Sequence, residues 1–404
     1  MNILVLSQWF PPEPGGGPAR FLEMGREWAA AGHNVHVIAG IPNWPTGIVD
    51  RRYRGKRYVK EAWEGLDVRR AWVYPARNEG RLRRILNHVS FLISSPAVTF
   101  ASRVPSDVVV ATSPPLLAGL AGMLIARRRG VPFVFDVRDL WPDAIFELGQ
   151  MRSPPIRRTL RALERTLYRR SAAVVPVAEA FIEPIRSRGA RRIDLIPNGA
   201  DIDFFSPGPP DPHLRTELGW EGRFVVMYAG TLGLAHGLTT VIEAAEACRD
   251  SSVLFSLIGD GADRPQLETA SVARGLDNLQ ILPLQPRSRM PTLYRSADAC
   301  LVSLRPLPLF DGFIPFKVFE IMACARPILA AVAGRALSIV QSAESGLPVK
   351  QGSAQSLLEA IETLREDPSE AAALGARGRR YVTQHYDRRA LANLYRQLLE
   401  AVAE

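Results

Sequence analysis

The sequence predicts an α/β protein built from two doubly wound domains, and three observations predict it. Short apolar, β-branched runs alternate with longer helical patterns along all 404 residues, the pattern of parallel sheets covered by helices on both faces. The two halves look alike in kind and are separated by the proline-rich run Ser206-Pro207-Gly208-Pro209-Pro210-Asp211-Pro212, which reads as a linker. Three glycine-rich loops each end a strand-like run and open a helix-like one. The length suits two domains, and 47% apolar residues supply two sizeable cores.

In the first half, strands are expected at residues 3–8, 34–39, 107–111, 133–137, 173–177 and 194–196. In the second they are expected at 224–229, 253–258, 279–282, 299–303, 328–332 and 347–349. Helical patterns fit between them, as at 18–31, 240–248 and 354–365. The domains are therefore expected at 1–205 and 206–387, followed by a terminal helix at 388–404 long enough to cross back to the first domain. Two such domains would place the C-terminal ends of both sets of strands on one cleft, where ligands of open α/β sheets bind.

The three cysteines, Cys248, Cys300 and Cys324, are widely spaced and form no C-x-x-C pair. That excludes a zinc ribbon or disulfide framework and fits a reducing compartment. No H-E-x-x-H or H-x-H cluster occurs among the six histidines, so no metal site is expected. Met1 leads straight into a strand-like run without a basic leader. The longest apolar stretches, 116–126 and 89–101, are ended by Arg127-Arg128-Arg129 and broken by Ser94-Ser95-Pro96, short of the roughly 18 apolar residues of a spanning helix. A cytoplasmic protein, soluble or peripheral to a membrane, is expected.

Charge is unevenly placed. Residues 1–205 hold 30 Lys and Arg against 19 Asp and Glu, a balance of +11, whereas residues 206–404 hold 20 against 22, or −2. Basic clusters stand at Arg51-Arg52-Tyr53-Arg54-Gly55-Lys56-Arg57, at Arg81-Leu82-Arg83-Arg84 and at Arg157-Arg158. The first half therefore suits an anionic partner, either nucleic acid or an anionic membrane, unless the cluster is simply a solvated face.

The first glycine loop, Gly15-Gly16-Gly17, is bracketed by Pro14 and Pro18. It is either a tight strand-to-helix turn or a loop whose backbone must approach a ligand beside a helix N-terminus. Its spacing is not the G-x-G-x-x-G of dinucleotide binders. The second loop spans Gly230-Thr231-Leu232-Gly233-Leu234-Ala235-His236-Gly237, where backbone N–H groups with Thr231 and His236 as side-chain donors would hold a phosphate, or where His236 merely packs at a helix start. The third is Gly259-Asp260-Gly261, with Asp263 and Arg264 following. Three such loops together suggest a polyphosphate ligand. Lys317 and Glu320 are three residues apart at a helix start and share one helical face; the lysine suits a phosphate and the carboxylate a ribose diol, or the two form a surface pair. Phe135-Asp136-Val137-Arg138-Asp139-Leu140-Trp141-Pro142-Asp143 ends a buried strand with three carboxylates and an arginine. Packing alone rarely uses such a set, so an Arg138–Asp139 pair is a candidate for positioning a sugar hydroxyl or a leaving phosphate, the alternative being a fold-holding ion pair. Asp201-Ile202-Asp203 matches a D-x-D metal pattern but follows the turn Pro197-Asn198-Gly199 and reads as a cap.

Taken together these residues resemble a family-4 glycosyltransferase, a retaining, nucleotide-sugar-dependent enzyme of the GT-B fold, in which two Rossmann-like doubly wound domains face a central cleft. The resemblance spans essentially the whole chain. It rests on the Gly15-Gly16-Gly17 loop, on Gly32-His33-Asn34-Val35-His36-Val37 and on Ile196-Pro197-Asn198-Gly199-Ala200-Asp201. It continues through Gly230-Thr231-Leu232-Gly233, Gly259-Asp260-Gly261, Leu293-Tyr294-Arg295-Ser296-Ala297-Asp298 and Phe319-Glu320-Ile321-Met322-Ala323. The sequence departs from the family's pattern in three places. Thr231 and His236 fall near the positions of an Arg and a Lys; of the E-x7-E pair only Glu320 is present, with Gly at 312; and Arg138-Asp139-Leu140-Trp141-Pro142 stands where the first domain carries a His. These departures resemble a branch that transfers deoxy-amino sugars such as N-acetyl-fucosamine in O-antigen or capsule synthesis.

By position, the resemblance implies that Glu320 holds the ribose hydroxyls. Gly15, Gly16 and Gly17 approach the diphosphate from the first domain, where a side chain would obstruct closure over the donor. Gly233 and Lys317 approach it from the second, with Arg264 adding charge, and a backbone group near Leu284 meets the base. The catalytic set implied is Arg138, Asp139, His236 and Lys317, with Thr231, Gly259 and Gly261 lining the donor. It also implies front-face attack, the leaving phosphate taking the acceptor's proton, with no cofactor and no divalent metal. The basic first domain then suits a lipid-linked or glycan acceptor at the anionic inner leaflet: Arg81, Arg83 and Arg84 followed by Leu86 and Phe91 would lie on the membrane, each basic residue near the surface adding roughly 1 kcal/mol. The alternatives are a non-hydrolysing sugar-nucleotide epimerase of the same fold and a basic nucleic-acid-binding protein. The latter needs aromatics interleaved with the basic residues, for which Tyr53 and Tyr58 offer little, so no nucleic-acid partner is expected.

Overall fold

The architecture was obtained as a computed structural model, which describes residues 1–44, 46–76, 81–143, 146, 153–248 and 250–404, excepting the side chains of Arg81 and Leu309. The chain divides into two compact units, Met1–Asn198 with Arg388–Glu404, and Gly199–Asp387. The division falls ahead of the proline-rich run at 206–212.

The first unit holds a seven-stranded sheet made of β1 (Asn2–Ser7), β2 (Asn34–Gly40), β3 (Tyr58–Trp63), β4 (Leu66–Ala71), β5 (Val108–Ser113), β6 (Phe133–Val137) and β7 (Ala173–Pro176), in the order β3-β4-β2-β1-β5-β6-β7. All neighbours are parallel except β3 and β4. The chain winds outward in both directions from β1, so the topological switch point lies between β1 and β5, and ligands of such sheets bind at the strand C-termini there.

The hairpin β3–β4 was not among the expected strands. β3 is a sheet edge with the charged sequence Tyr-Val-Lys-Glu-Ala-Trp and no buried residue, so no apolar run announces it. Its turn is the two-residue Glu64-Gly65, with φ of 48° and 86°, the left-handed pair that such a hairpin requires. The expected strand at 194–196 runs beside β7, with Asp194 N donating to Val174 O and Ile196 N to Pro176 O, but forms no ladder beyond an isolated bridge between Val174 and Ile193.

The helix Arg81–Ala101 continues through Pro96, so Ser94-Ser95-Pro96 does not break it. A proline in a helix removes one donor; here the Ser95 hydroxyl donates to Phe91 O at 2.6 Å and Thr99 Oγ1 to Ser95 O at 2.8 Å. The last helix, Arg388–Ala403, packs in the first unit's core through Leu391, Ala392, Tyr395, Leu398 and Leu399. Trp28 Nε1 donates to Ala392 O at 2.9 Å, the Trp28 and Tyr395 rings meet edge to face at 5.3 Å, and Arg388 pairs with Glu23 at 2.8 Å.

The second unit holds β8 (Phe224–Ala229), β9 (Val253–Ile258), β10 (Leu279–Leu282), β11 (Ala299–Ser303), β12 (Ile328–Ala331) and β13 (Gly346–Pro348), in the order β10-β9-β8-β11-β12-β13. All neighbours are parallel. Here β8 is the strand from which the winding reverses. Among the described residues no helix is long and apolar enough to cross a membrane.

Candidate functional site

In the first unit, β1 runs into the glycine loop and then the helix Gly16–Ala30. Gly15 has φ +104°, a conformation that side chains resist. Gly17 is small for another reason: a β-carbon there would lie 1.9 Å from Arg138 Nη1. At Gly17 the loop therefore makes room for a buried guanidinium of its own unit.

Arg138 stands just past β6 and is 9% exposed. Its backbone N–H donates to Ser113 O and its Nη2 to Pro114 O at 3.2 Å, while Nε has no partner. Burial lowers its pKa. Burial also pushes the adjacent Asp139 up to about 6, with the charge of Arg138 opposing.

The other two carboxylates of this strand end are spent on structure, contrary to expectation. Asp136 is fully buried and accepts from Arg20 Nη2 at 3.1 Å and from Thr112 Oγ1 at 3.1 Å. Arg20, on the helix after the glycine loop, also donates to Ile196 O, Pro197 O and Asn198 Oδ1. It ties the Ile-Pro-Asn turn to the sheet's C-terminal edge. Asp143 pairs with Arg161 at 2.9 Å and with Arg188. Sequence reasoning passed over Arg20, whose only signal is an arginine inside the helix's buried run Pro18–Gly25. Asp201 Oδ1 accepts from Asp203 N and Phe204 N at 3.2 and 3.0 Å; it caps a turn.

In the second unit, the loops after β8 and β9 pack on one another. Leu232 N donates to Asp260 O and Asp263 N to Leu232 O, both at 2.9 Å. A β-carbon on Gly259 would lie 1.8 Å from Gly230 O, and one on Gly261 would lie 2.3 Å from Leu232 O. These two glycines serve backbone against backbone. Gly233 is different, since a β-carbon there would meet only Thr231 Cγ2 at 3.4 Å, and Thr231 is exposed. That stretch of backbone is open to a ligand.

Lys317 opens the helix Phe316–Ala323 after β11. Its Nζ lies 3.6 Å above the centre of the Tyr228 ring and has no hydrogen-bond partner. It stands so close under Gly230 that a β-carbon there would come within 2.8 Å of Nζ. Burial pulls its pKa down to about 7, with Glu320 opposing. It is therefore not half of a surface pair. The face of an aromatic ring attracts a cation, and Tyr228 is fixed in turn by donating to Thr231 O at 2.8 Å.

Glu320, on the same helix, accepts from Tyr294 Oη at 3.2 Å and lies 3.6 Å from Arg287 Nη1. The Arg287 guanidinium sits over the rings of Phe204 and Phe205, at 4.9 and 5.1 Å. Two flanking donors thus orient the carboxylate. Neither Arg287 nor Tyr228 was singled out as a site residue from sequence.

His236 does not fit the donor role expected of it. Its Nδ1 faces Ser303 O at 3.2 Å, and a carbonyl only accepts, so Nδ1 carries the proton and Nε2 a lone pair. Burial, helped by the charge of Lys317, holds its pKa near 3. A neutral ring with its N–H already used cannot donate to a phosphate. Arg264 is also committed, pairing with Glu268 at 2.7 Å and donating to Gly259 O at 3.0 Å. Leu284 lies past the end of β10 and is 40% exposed.

On the helix Arg81–Ala101, Phe91 is fully buried and cannot face a membrane. Leu82, Ile85, Leu86, Ile93 and Phe100 are large apolar side chains of this helix that stand exposed. Arg83 is exposed and Arg84 half-buried; the Arg81 side chain lies outside the described residues. Tyr53, in the basic run 51–57, is 2% exposed beneath the Arg70 guanidinium, so it has no free ring face for a nucleic-acid base.

Comparison with known proteins identifies the family. A family described as "Glycosyl transferase 4-like domain" matches residues 15–199, and one described as "Glycosyl transferases group 1" matches residues 211–381. A "Putative colanic acid biosynthesis glycosyl transferase WcaI" of Escherichia coli K12 is 29% identical over 333 residues, 80% of this chain and 81% of that one. Sucrose-phosphate synthase of Thermosynechococcus elongatus superposes with a TM-score of 0.77 at 20% identity, covering 99% of this chain and 100% of that one. HepE of Anabaena, solved in complex with UDP-glucose, superposes with a TM-score of 0.74 at 20% identity over the same shares. The chain belongs to the family-4 glycosyltransferases and has their GT-B fold.

Proposed function

We propose that this glycosyltransferase moves a deoxy-amino or N-acetyl hexose, with retention, from a UDP-linked donor to a lipid-linked or glycan acceptor during surface-polysaccharide synthesis. The observation that carries the donor assignment is Lys317. A buried ammonium group with no hydrogen-bond partner, set against Gly230 at the end of β8, is a costly arrangement that an arriving diphosphate relieves. Glu320, oriented by Tyr294 and Arg287, offers acceptor oxygens to a ribose diol. The kinship with WcaI supports a polysaccharide product, and the UDP-glucose bound by HepE supports a uridine donor.

In this reading the bond from the sugar C1 to the diphosphate breaks while the acceptor oxygen attacks the same face. The acceptor's proton passes to the departing diphosphate. Lys317 answers the charge that develops there, and no divalent ion is needed. Arg138 offers the first unit's buried N–H groups to a sugar hydroxyl or phosphate, with Asp139 beside it. The exposed Leu82, Ile85, Leu86 and Ile93, next to Arg83, rest on the anionic inner face of the cytoplasmic membrane.

The test is to incubate the enzyme with UDP-linked N-acetyl and deoxy-amino hexoses, with and without membrane lipid extract, in the presence of EDTA. The proposal expects UDP release that depends on the extract and a product retaining the donor's anomeric configuration. Conversion of the donor to its epimer without extract would instead make the protein an epimerase.

A further inference from the structure

Two half-buried indoles stand where β1 and β2 end in the first unit. Trp9 follows β1 and Trp44 follows β2, with ring centres 6.2 Å apart and planes inclined at 45°. His88, on the helix Arg81–Ala101, meets the edge of Trp9 at 5.8 Å and 75°. The three rings form an aromatic corner at the C-terminal edge of the sheet, next to its switch point, which is where open α/β sheets place ligands.

The corner is rigidly backed. The Glu13 carboxylate is buried and accepts from Phe10 N at 3.2 Å, Asn43 N at 3.0 Å and Trp44 N at 2.9 Å. It therefore clips the segments carrying Trp9 and Trp44 to each other. A glutamate so committed is a costly group to bury for a surface loop, and burial raises its pKa to about 7.

The protonation of His88 follows from its neighbours. Tyr74 O can only accept, so the Asn87 amide nitrogen, 2.7 Å away, donates to it. Asn87 Oδ1 then faces Gln8 Nε2 at 2.5 Å. Gln8 Oε1 in turn faces His88 Nδ1 at 3.1 Å, so Nδ1 carries the hydrogen. A second anchor agrees: Asn43 Nδ2 donates to Ile41 O, leaving Asn43 Oδ1 to accept from Asn87 Nδ2. The relay leaves His88 Nε2 with a lone pair. Burial, with the charge of Arg84 adding to it, keeps the ring neutral, its pKa near 4.

We infer that Trp9, Trp44 and His88 form a carbohydrate subsite that takes a neutral pyranose ring of the acceptor. A pyranose has apolar C–H faces and a rim of hydroxyls. One indole supplies a surface for a C–H face, the other, inclined to it, meets the rim of the same ring, and His88 Nε2 accepts a hydrogen bond from one hydroxyl. A planar nucleobase would want two parallel walls rather than a corner. None of these residues takes part in the donor geometry of the second unit. The inference rests on the proposal that the first unit receives the acceptor, and His88 acts as a positioning residue.

The test is saturation-transfer NMR on the full chain with methyl glycosides of galactose, glucose, fucose and N-acetylglucosamine, with uridine alongside. The expected result is transfer to the ring C–H protons of at least one glycoside. Trp44→Ala and Trp9→Ala weaken that binding roughly fivefold, the loss of one aromatic contact, whereas Trp44→Phe keeps it. His88→Gln, whose amide can still accept, retains more binding than His88→Leu. Thermal stabilisation by UDP is read on every variant and reports separately on the donor site and on folding. No transfer to any glycoside in the wild type overturns the inference, as does transfer that survives Trp44→Ala unchanged or that goes to uridine instead.

Discussion

Gly17 and Arg138 claim the same space: a β-carbon on Gly17 would lie 1.9 Å from Arg138 Nη1. A methyl group at position 17 must therefore move the guanidinium. Displacement of a positioned group by about 1 Å can cost about 100-fold in rate. Gly17→Ala is expected to lower kcat on that order while leaving UDP binding intact. Arg138→Gln should do the same, and the double variant should be little worse than either, because the two changes act on one group. Steady-state kinetics on the three variants decide it, and a Gly17→Ala enzyme with full kcat contradicts the assignment.

The lowered pKa of Lys317, about 7 against an ordinary 10.5, gives donor binding a definite pH dependence. Above pH 7 the free enzyme holds this amine increasingly neutral, and an arriving diphosphate must bring a proton with it. UDP affinity is expected to fall as pH rises from 7 to 9, approaching the limit of tenfold per unit set by one proton. Lys317→Met should bind UDP weakly and without that slope. The same shift acts oppositely on folding: between the folded and unfolded pKa values the unfolded chain holds the extra proton, so this group's contribution to stability rises with pH. Titration calorimetry across the window tests the binding slope.

Much of the second unit was legible because its central strands β8, β9, β11 and β12 are short, apolar and almost wholly buried. β8, β9, β10 and β11 fall where their β-branched runs place them. The edge hairpin β3–β4 was not, since β3 buries none of its residues and its signal is only the turn Glu64-Gly65. Site residues divided on the same ground. Arg138 was visible as a polar group at a strand end, and Lys317 and Glu320 as a polar pair at a helix start. What each touches was not: that Asp136 is consumed by Arg20 and that His236 donates its Nδ1–H to Ser303 O depend on partners distant in sequence.

The pair Arg20–Asp136, fully buried and linking the first helix to β6, is a structural joint. Arg20→Met leaves Asp136 charged and without its main partner, which for a buried pair costs about 3–5 kcal/mol. The urea midpoint of the first unit should drop accordingly. A change within the ordinary surface range of about 0.5 kcal/mol would refute the role.

The burial of Phe91 separates two properties of the helix Arg81–Ala101. Phe91→Ala should cost about 3–5 kcal/mol of stability and leave membrane affinity unaltered. Leu82→Ser with Ile93→Ser, at side chains 69% and 67% exposed, should leave the melting temperature unaltered and reduce flotation with anionic vesicles. Added salt should release the wild type. Equal binding to neutral vesicles would remove the electrostatic part of the membrane proposal.

In the proposed function the second unit holds a uridine diphosphate donor through Lys317 and Glu320. Thermal melting with UDP, GDP, dTDP, CMP and NAD, on the wild type, Lys317→Met and Glu320→Ala, tests it most directly. Near 100 times its dissociation constant a ligand adds about 2.7 kcal/mol, a readily measured rise in melting temperature. UDP should stabilise the wild type most, and both substitutions should largely abolish the rise. Stabilisation by UDP that survives both substitutions, or no stabilisation of the wild type by any of the five, would contradict it.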